Sequence, residues 1–136
     1  MSGFLSHIEI NVSNLARSRD FWSWLLERLG YTLYQKWEHG FSFELAGTYL
    51  VFVQTTDKYL DCGYHRQKTG LNHLAFRASS IADIDALTHE LSSRGVKILY
   101  PDKHPYAGGR EHYAVYFEDP DRIKVEVCLH LAHDLG

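Results

Sequence analysis

Two stretches decide the fold: SHIEINVSNL at residues 6–15 and NHLAFRASSI at residues 72–81. Laid one over the other they stay in register, with His7 on His73 and Leu15 on Ile81 at an offset of 66, and Gly30 on Gly95 at 65. Each begins with alternating apolar and polar residues, breaks at a short polar loop, and runs into a helical stretch that stops at a glycine. Agreement across a whole strand, loop and helix is the mark of a duplicated module.

The remaining elements follow from periodicity. In residues 5–12, Ile8, Ile10 and Val12 share one face of a strand, and His7, Glu9 and Asn11 the other. Asn14 is a candidate N-cap for a helix to about Leu29, and Gly30 suits the left-handed position after it. Leu15, Trp22, Leu25, Leu26 and Leu29 make the expected buried stripe, with Trp24 pointing away. Strands are predicted near 31–37, 41–46 and 49–55. Residues 57–70 lack periodicity and read as a connector. The second half repeats the plan: a strand at 71–78, a helix at 82–94, a short strand at 96–100, a loop at 101–111, and strands at 112–118 and 123–129 about the Asp119-Pro120-Asp121 turn. The expected architecture is α+β, one domain over 1–136. Module one spans about 5–56 and module two about 71–130, each βαβββ, together making a cupped mixed sheet.

Composition narrows the function. The chain has 136 residues, 45% of them hydrophobic and 14% aromatic, enough for a packed core rather than a disordered chain. Fourteen Lys and Arg against 17 Asp and Glu leave a net charge of -3 with no like-charged block, which argues against nucleic-acid or anionic-membrane binding. The N-terminal apolar run is broken by His7, Glu9 and Asn11, so neither a signal peptide nor a membrane span is expected. Two cysteines form no disulfide framework, and a cytoplasmic location is the default expectation.

Parity then singles out a site. If Ile8, Ile10, Leu74, Phe76, Val125 and Val127 face the helices, His7, His73 and Glu126 face the opposite side of their strands. Two imidazoles and a carboxylate suit a divalent first-row cation: Zn, Ni, Co, Mn or Fe. Setting residues 51–54 against 123–126 adds Gln54 as a first-half ligand; a one-residue shift would offer Val53, which has no donor. Cys128 is expected nearby but is not counted as a ligand. His65, His112, His130 and His133 read as solvent-facing or loop residues.

These segments, together with LLERLGY, SSRGVKILYP and YFEDPDRIKVEV, resemble the vicinal oxygen chelate superfamily over about residues 5–129. That superfamily includes glyoxalase I, methylmalonyl-CoA epimerase, extradiol dioxygenases, and fosfomycin- and bleomycin-resistance proteins. The resemblance implies metal ligands at His7, His73 and Glu126. It also implies a lyase or isomerase of glyoxalase I or epimerase type, acting on a small metal-chelating carbonyl compound through an enediolate-type intermediate. Glu44 falls near the epimerase's general base, and Glu126 is a second acid–base candidate. Gln54 is closer to the epimerase pattern than to the glutamate of bacterial glyoxalase I. Arg122 departs from the usual glycine, and the loop at 106–113 matches no characterised branch. Two alternatives stand beside this reading: a metal-dependent enzyme like those of fosfomycin resistance, and a metal-free small-molecule-binding resistance protein. Lys124, Arg110, Arg66 and Lys68 either meet an anionic substrate group or are ordinary surface charges. A homodimer is the expected assembly, with Trp24, Tyr59, Tyr64 and Tyr106 as surface aromatics.

Overall fold

The computed structural model describes residues 1–134, except for the side chains of His133 and Asp134, so His133 as a surface residue lies outside what is described. The chain divides into two compact units, Met1–Gly63 and Tyr64–Gly136.

The first unit is β1 (His7–Val12), α1 (Leu15–Arg28), β2 (Thr32–Trp37), β3 (Gly40–Leu45) and β4 (Thr48–Gln54), followed by a 3-10 turn over Asp57–Cys62. Its sheet has the order β1-β4-β3-β2, with β1 parallel to β4 and the other pairs antiparallel. Asn14 caps α1, its side-chain oxygen accepting the Arg17 N–H at 3.0 Å. The helix buries Ser18, Phe21, Trp22, Leu25 and Leu26, one face at three- and four-residue spacing. Trp22 meets Phe52 at 4.8 Å between ring centroids, and Phe52 stacks on Phe41 at 5.0 Å. Trp24 is half-buried at the edge of the Phe21 ring rather than pointing clear of the helix's packing face.

The second unit repeats the order: β5 (His73–Arg77), α2 (Ile81–Ser93), β6 (Ile98–Leu99), β7 (His112–Glu118), β8 (Lys124–His130) and the short α3 (Leu131–Asp134). Its sheet runs β5-β8-β7-β6, with the same parallel first pair. Ser80 caps α2 through the Asp83 N–H. Ile84, Leu87 and Leu91 are buried, as are Leu74, Phe117, Val125 and Val127 on the sheet face of matching parity. The two modules of the sequence are thus both four-stranded mixed sheets with one long helix each. Among the described residues no helix is long and apolar enough to cross a membrane.

Candidate metal centre

The side chains that matter in the second unit stand on the sheet face turned away from the α2-facing apolar residues. Parallel pairing sets His73 beside Lys124 and Ala75 beside Glu126; antiparallel pairing sets Tyr116 beside Glu126, Ala114 beside Cys128 and His112 beside His130. Ladder partners share a face, so His73, Glu126, Tyr116, Cys128 and His112 converge.

Glu126 is the centre of this group. It is 4% exposed, and each of its oxygens meets an imidazole. Oε1 lies 3.1 Å from His73 Nε2, while Oε2 is hydrogen-bonded to His112 Nε2. The His73 ring is fixed from its other side by Asn72, whose Oδ1 is 2.7 Å from Nδ1. A buried carboxylate held from both sides is oriented rather than free to turn.

Tyr116 stands at the rim of the pair. Burial raises its phenol well above the ordinary value, and the charge of Glu126 and a hydrogen bond to it raise it further, so the hydroxyl stays protonated. Lys124 Nζ lies 5.0 Å and 5.1 Å from the Tyr100 and Tyr116 ring centroids and donates to the Tyr100 hydroxyl at 2.9 Å. The segment after β6 is tied back to β7 by the Ala114 N–H, which donates to the Pro105 carbonyl. It comes so close at Gly108 that a Cβ there would stand 2.6 Å from His112 Cδ2 and 2.7 Å from the Tyr116 hydroxyl. Only glycine fits that approach.

His112 was expected at the surface and is instead half-buried against Glu126. The hairpin carried the signal: with a turn between Glu118 and Lys124, counting back pairs Tyr116 with Glu126 and places His112 on the same face. His130 is also half-buried, its ring 6.1 Å from that of His112. His65 is exposed, its Nδ1 accepting the Gln67 N–H. Arg66 is committed to Glu118 at 2.9 Å, and Arg110 and Lys68 are exposed.

In the first unit His7 is exposed on β1 and stacks on Tyr49 at 4.6 Å between centroids, with Ser6 Oγ 3.0 Å from its Nδ1. Glu44 pairs with Tyr49 across β3 and β4, so it shares the face of His7. Gln54 does not. It pairs with Val12, on the face that packs against α1. Its Oε1 accepts the Leu15 N–H at 2.9 Å and its Nε2 donates to the Ser13 carbonyl at 2.8 Å, which satisfies the start of α1. The ladder also places the first-half counterpart of Glu126 elsewhere. Glu126 sits opposite Ala75, and the corresponding residue opposite Glu9 is Val51, an apolar side chain.

Two imidazoles, a buried carboxylate and a neighbouring thiol form a donor set that fits a divalent first-row cation. His73 and Glu126 come together on the face that strand parity gave them, and Cys128 joins His112 and Glu126 with ligand atoms all within 4.8 Å of one another.

Comparison with known proteins agrees with this architecture. The sequence profile of the Glyoxalase/Bleomycin resistance protein/Dioxygenase superfamily matches residues 4–127. The uncharacterized protein YqjT of Bacillus subtilis is 52% identical over 123 residues, covering 90% of this chain and 96% of that protein. Glutathione transferase FosA of Serratia marcescens is 28% identical over 130 residues, covering 90% of this chain and 78% of FosA. A crystal structure of a candidate glyoxalase from Bacillus halodurans superposes with a TM-score of 0.92 at 56% identity, covering 93% of this chain and 95% of that one. The duplicated βαβββ plan, the residues on its uncovered face and the profile match together identify the chain as a member of the Glyoxalase/Bleomycin resistance protein/Dioxygenase superfamily.

Proposed function

We propose that the protein is a divalent-metal-dependent enzyme, a lyase or isomerase that removes a carbon-bound proton beside a carbonyl of a small substrate with adjacent oxygens. The observation that carries this reading is Glu126: one buried carboxylate with an imidazole nitrogen at each oxygen. His73 and Glu126 would hold the cation, and the sequence resemblance adds His7. Once bound, a cation there supplies Lewis acidity to chelating substrate oxygens.

The chain's own groups do the rest. His112 and Asn72 keep Glu126 and His73 in one orientation, so little reorganisation is needed as charge develops. The protonated Tyr116 hydroxyl can donate to an oxygen gaining negative charge. Lys124 brings a positive charge beside the tyrosines, suited to an anionic group on the substrate. Glu44 is the proposed base: its carboxylate takes the carbon proton and returns it to the neighbouring carbon in an isomerisation.

The test uses untagged protein, α-hydroxycarbonyl compounds or acyl-thioesters, and deuterated water. Exchange of the carbon-bound proton should require an added divalent cation. It should vanish in Glu44→Gln with cation binding intact, and His7→Ala should weaken cation binding by roughly tenfold or more. Failure of the protein to bind Mn, Fe, Co, Ni or Zn would end the enzyme reading, and unchanged exchange in Glu44→Gln would remove Glu44 from it. The similarity to FosA favours a second reading, modification of fosfomycin. Consumption of that compound in the presence of glutathione, without carbon-proton exchange, would select it.

A further inference from the structure

We propose a second cation subsite in the second unit, selective for thiophilic ions and formed by His112, Glu126 and Cys128. Their ligand atoms all lie within 4.8 Å of one another, and Glu126 is buried while the other two are half-buried. The β7–β8 ladder makes the arrangement. Cys128 sits across from Ala114, two residues along β8 from Glu126, and His112 reaches diagonally over it to Oε2. Gly108 presses on His112 from outside and leaves it little room to swing away.

The reading given above uses Glu126 toward His73, through Oε1. The opposite oxygen, Oε2, is hydrogen-bonded to His112, and the Cys128 sulfur lies within 4.8 Å of the ligand atoms of both residues. One carboxylate therefore stands between two donor sets of different character, nitrogen and oxygen on the His73 side, and nitrogen, oxygen and sulfur on the other. Sulfur favours zinc, cadmium and cobalt over manganese and magnesium. Cys128 packs against the buried cluster of Leu99, Ala114 and Tyr116. On binding, the thiol proton leaves to solvent and the sulfur donates an electron pair to the ion, with no oxidation or reduction. A thiophilic ion so held would engage Glu126 and thereby alter the His73 side.

This inference rests on Glu126 as a metal ligand, but not on His7 or His73. The probe is cobalt(II), titrated into Cys62→Ser protein so that the other, exposed thiol cannot contribute. A thiolate-to-cobalt charge-transfer absorption in the near ultraviolet is expected. It should persist in His73→Ala and disappear in Cys128→Ser and in Cys128→Ala. In His112→Ala, cobalt affinity should fall by roughly tenfold or more. Thermal melts of the two Cys128 variants establish that they are folded. Cobalt bound without any thiolate absorption would overturn the second subsite and leave the His73 reading standing. Loss of the absorption in His73→Ala would also overturn it, by assigning the sulfur to a single shared site. No cobalt binding at all would overturn both.

Discussion

At position 122 the backbone turns through the left-handed region, φ 66°, with an arginine where glycine would be unstrained. Two compensations hold it there. Asp119 Oδ1 accepts the N–H groups of Asp121 and Ile123, each at 2.8 Å, and Arg122 Nε donates to Glu118 at 3.2 Å. A left-handed non-glycine residue costs about 1–2 kcal/mol. The Arg122 side chain is 68% exposed while Glu118 is only 6% exposed, and a pair screened on one side contributes about 0.5–1 kcal/mol. Arg122→Gly should therefore raise stability by about 0.5 kcal/mol in a denaturant titration; a less stable variant would mean that the ion pair outweighs the strain.

Glu118 itself supplies a pH dependence. Burial pushes its carboxyl upward, but Arg66 and Arg122 together outweigh burial and leave it below the ordinary carboxylate value. A depressed native value means stability that is complete above the unfolded carboxylate range and is lost as the pH falls through it toward the native value. Glu118→Gln should lose about 2 kcal/mol at neutral pH, and the gap to the parent should close in acid. A gap that is constant with pH would remove the ion pairs from the explanation.

Among the elements, the β7–β8 hairpin decides most. Its turn length alone sets which residues of β7 face Glu126, so His112 and Tyr116 were readable from the sequence once the hairpin was counted. The overlying segment was not readable in that way. Nothing in the residues 101–111 announces that Gly108 would lie on His112 and the Tyr116 hydroxyl, because that approach depends on a non-periodic path. Gly108→Ala should cost about 1–3 kcal/mol, since the His112 ring or the Tyr116 hydroxyl must give way. It should weaken cation binding several-fold by displacing His112; unchanged binding would show that His112 does not depend on this contact. On β4 the same logic ran the other way. Alternation placed Gln54 only as well as the alignment beneath it, and the observed register puts it opposite Val12, serving the first turn of α1.

Over the whole molecule, each unit has its own sheet, helix and apolar core, as the repeat at an offset of 66 implied. All three tryptophans, Trp22, Trp24 and Trp37, belong to the first unit, so their fluorescence reports its unfolding. His73, His112, Glu126 and Cys128 lie on strands of the second unit, and circular dichroism follows both units. A cation binding only the folded state stabilises it by mass action, about 2.7 kcal/mol at a concentration 100 times its dissociation constant. The circular-dichroism melt should rise with added zinc or cobalt and return with a chelator; a melt indifferent to both would exclude a metal held by the folded protein.

The sequence by itself determined the duplicated modules, the N-cap of the first helix and the faces on which His7, His73 and Glu126 stand, because strand alternation and helical periodicity are local rules that act along a few residues. Only the tertiary structure decided that the His112 ring reaches Glu126, that Gln54 turns to α1, and that Gly108 lies against His112 and the Tyr116 hydroxyl. Those outcomes depend on ladder register and on the course of an irregular segment, which are set by packing between residues far apart in the chain.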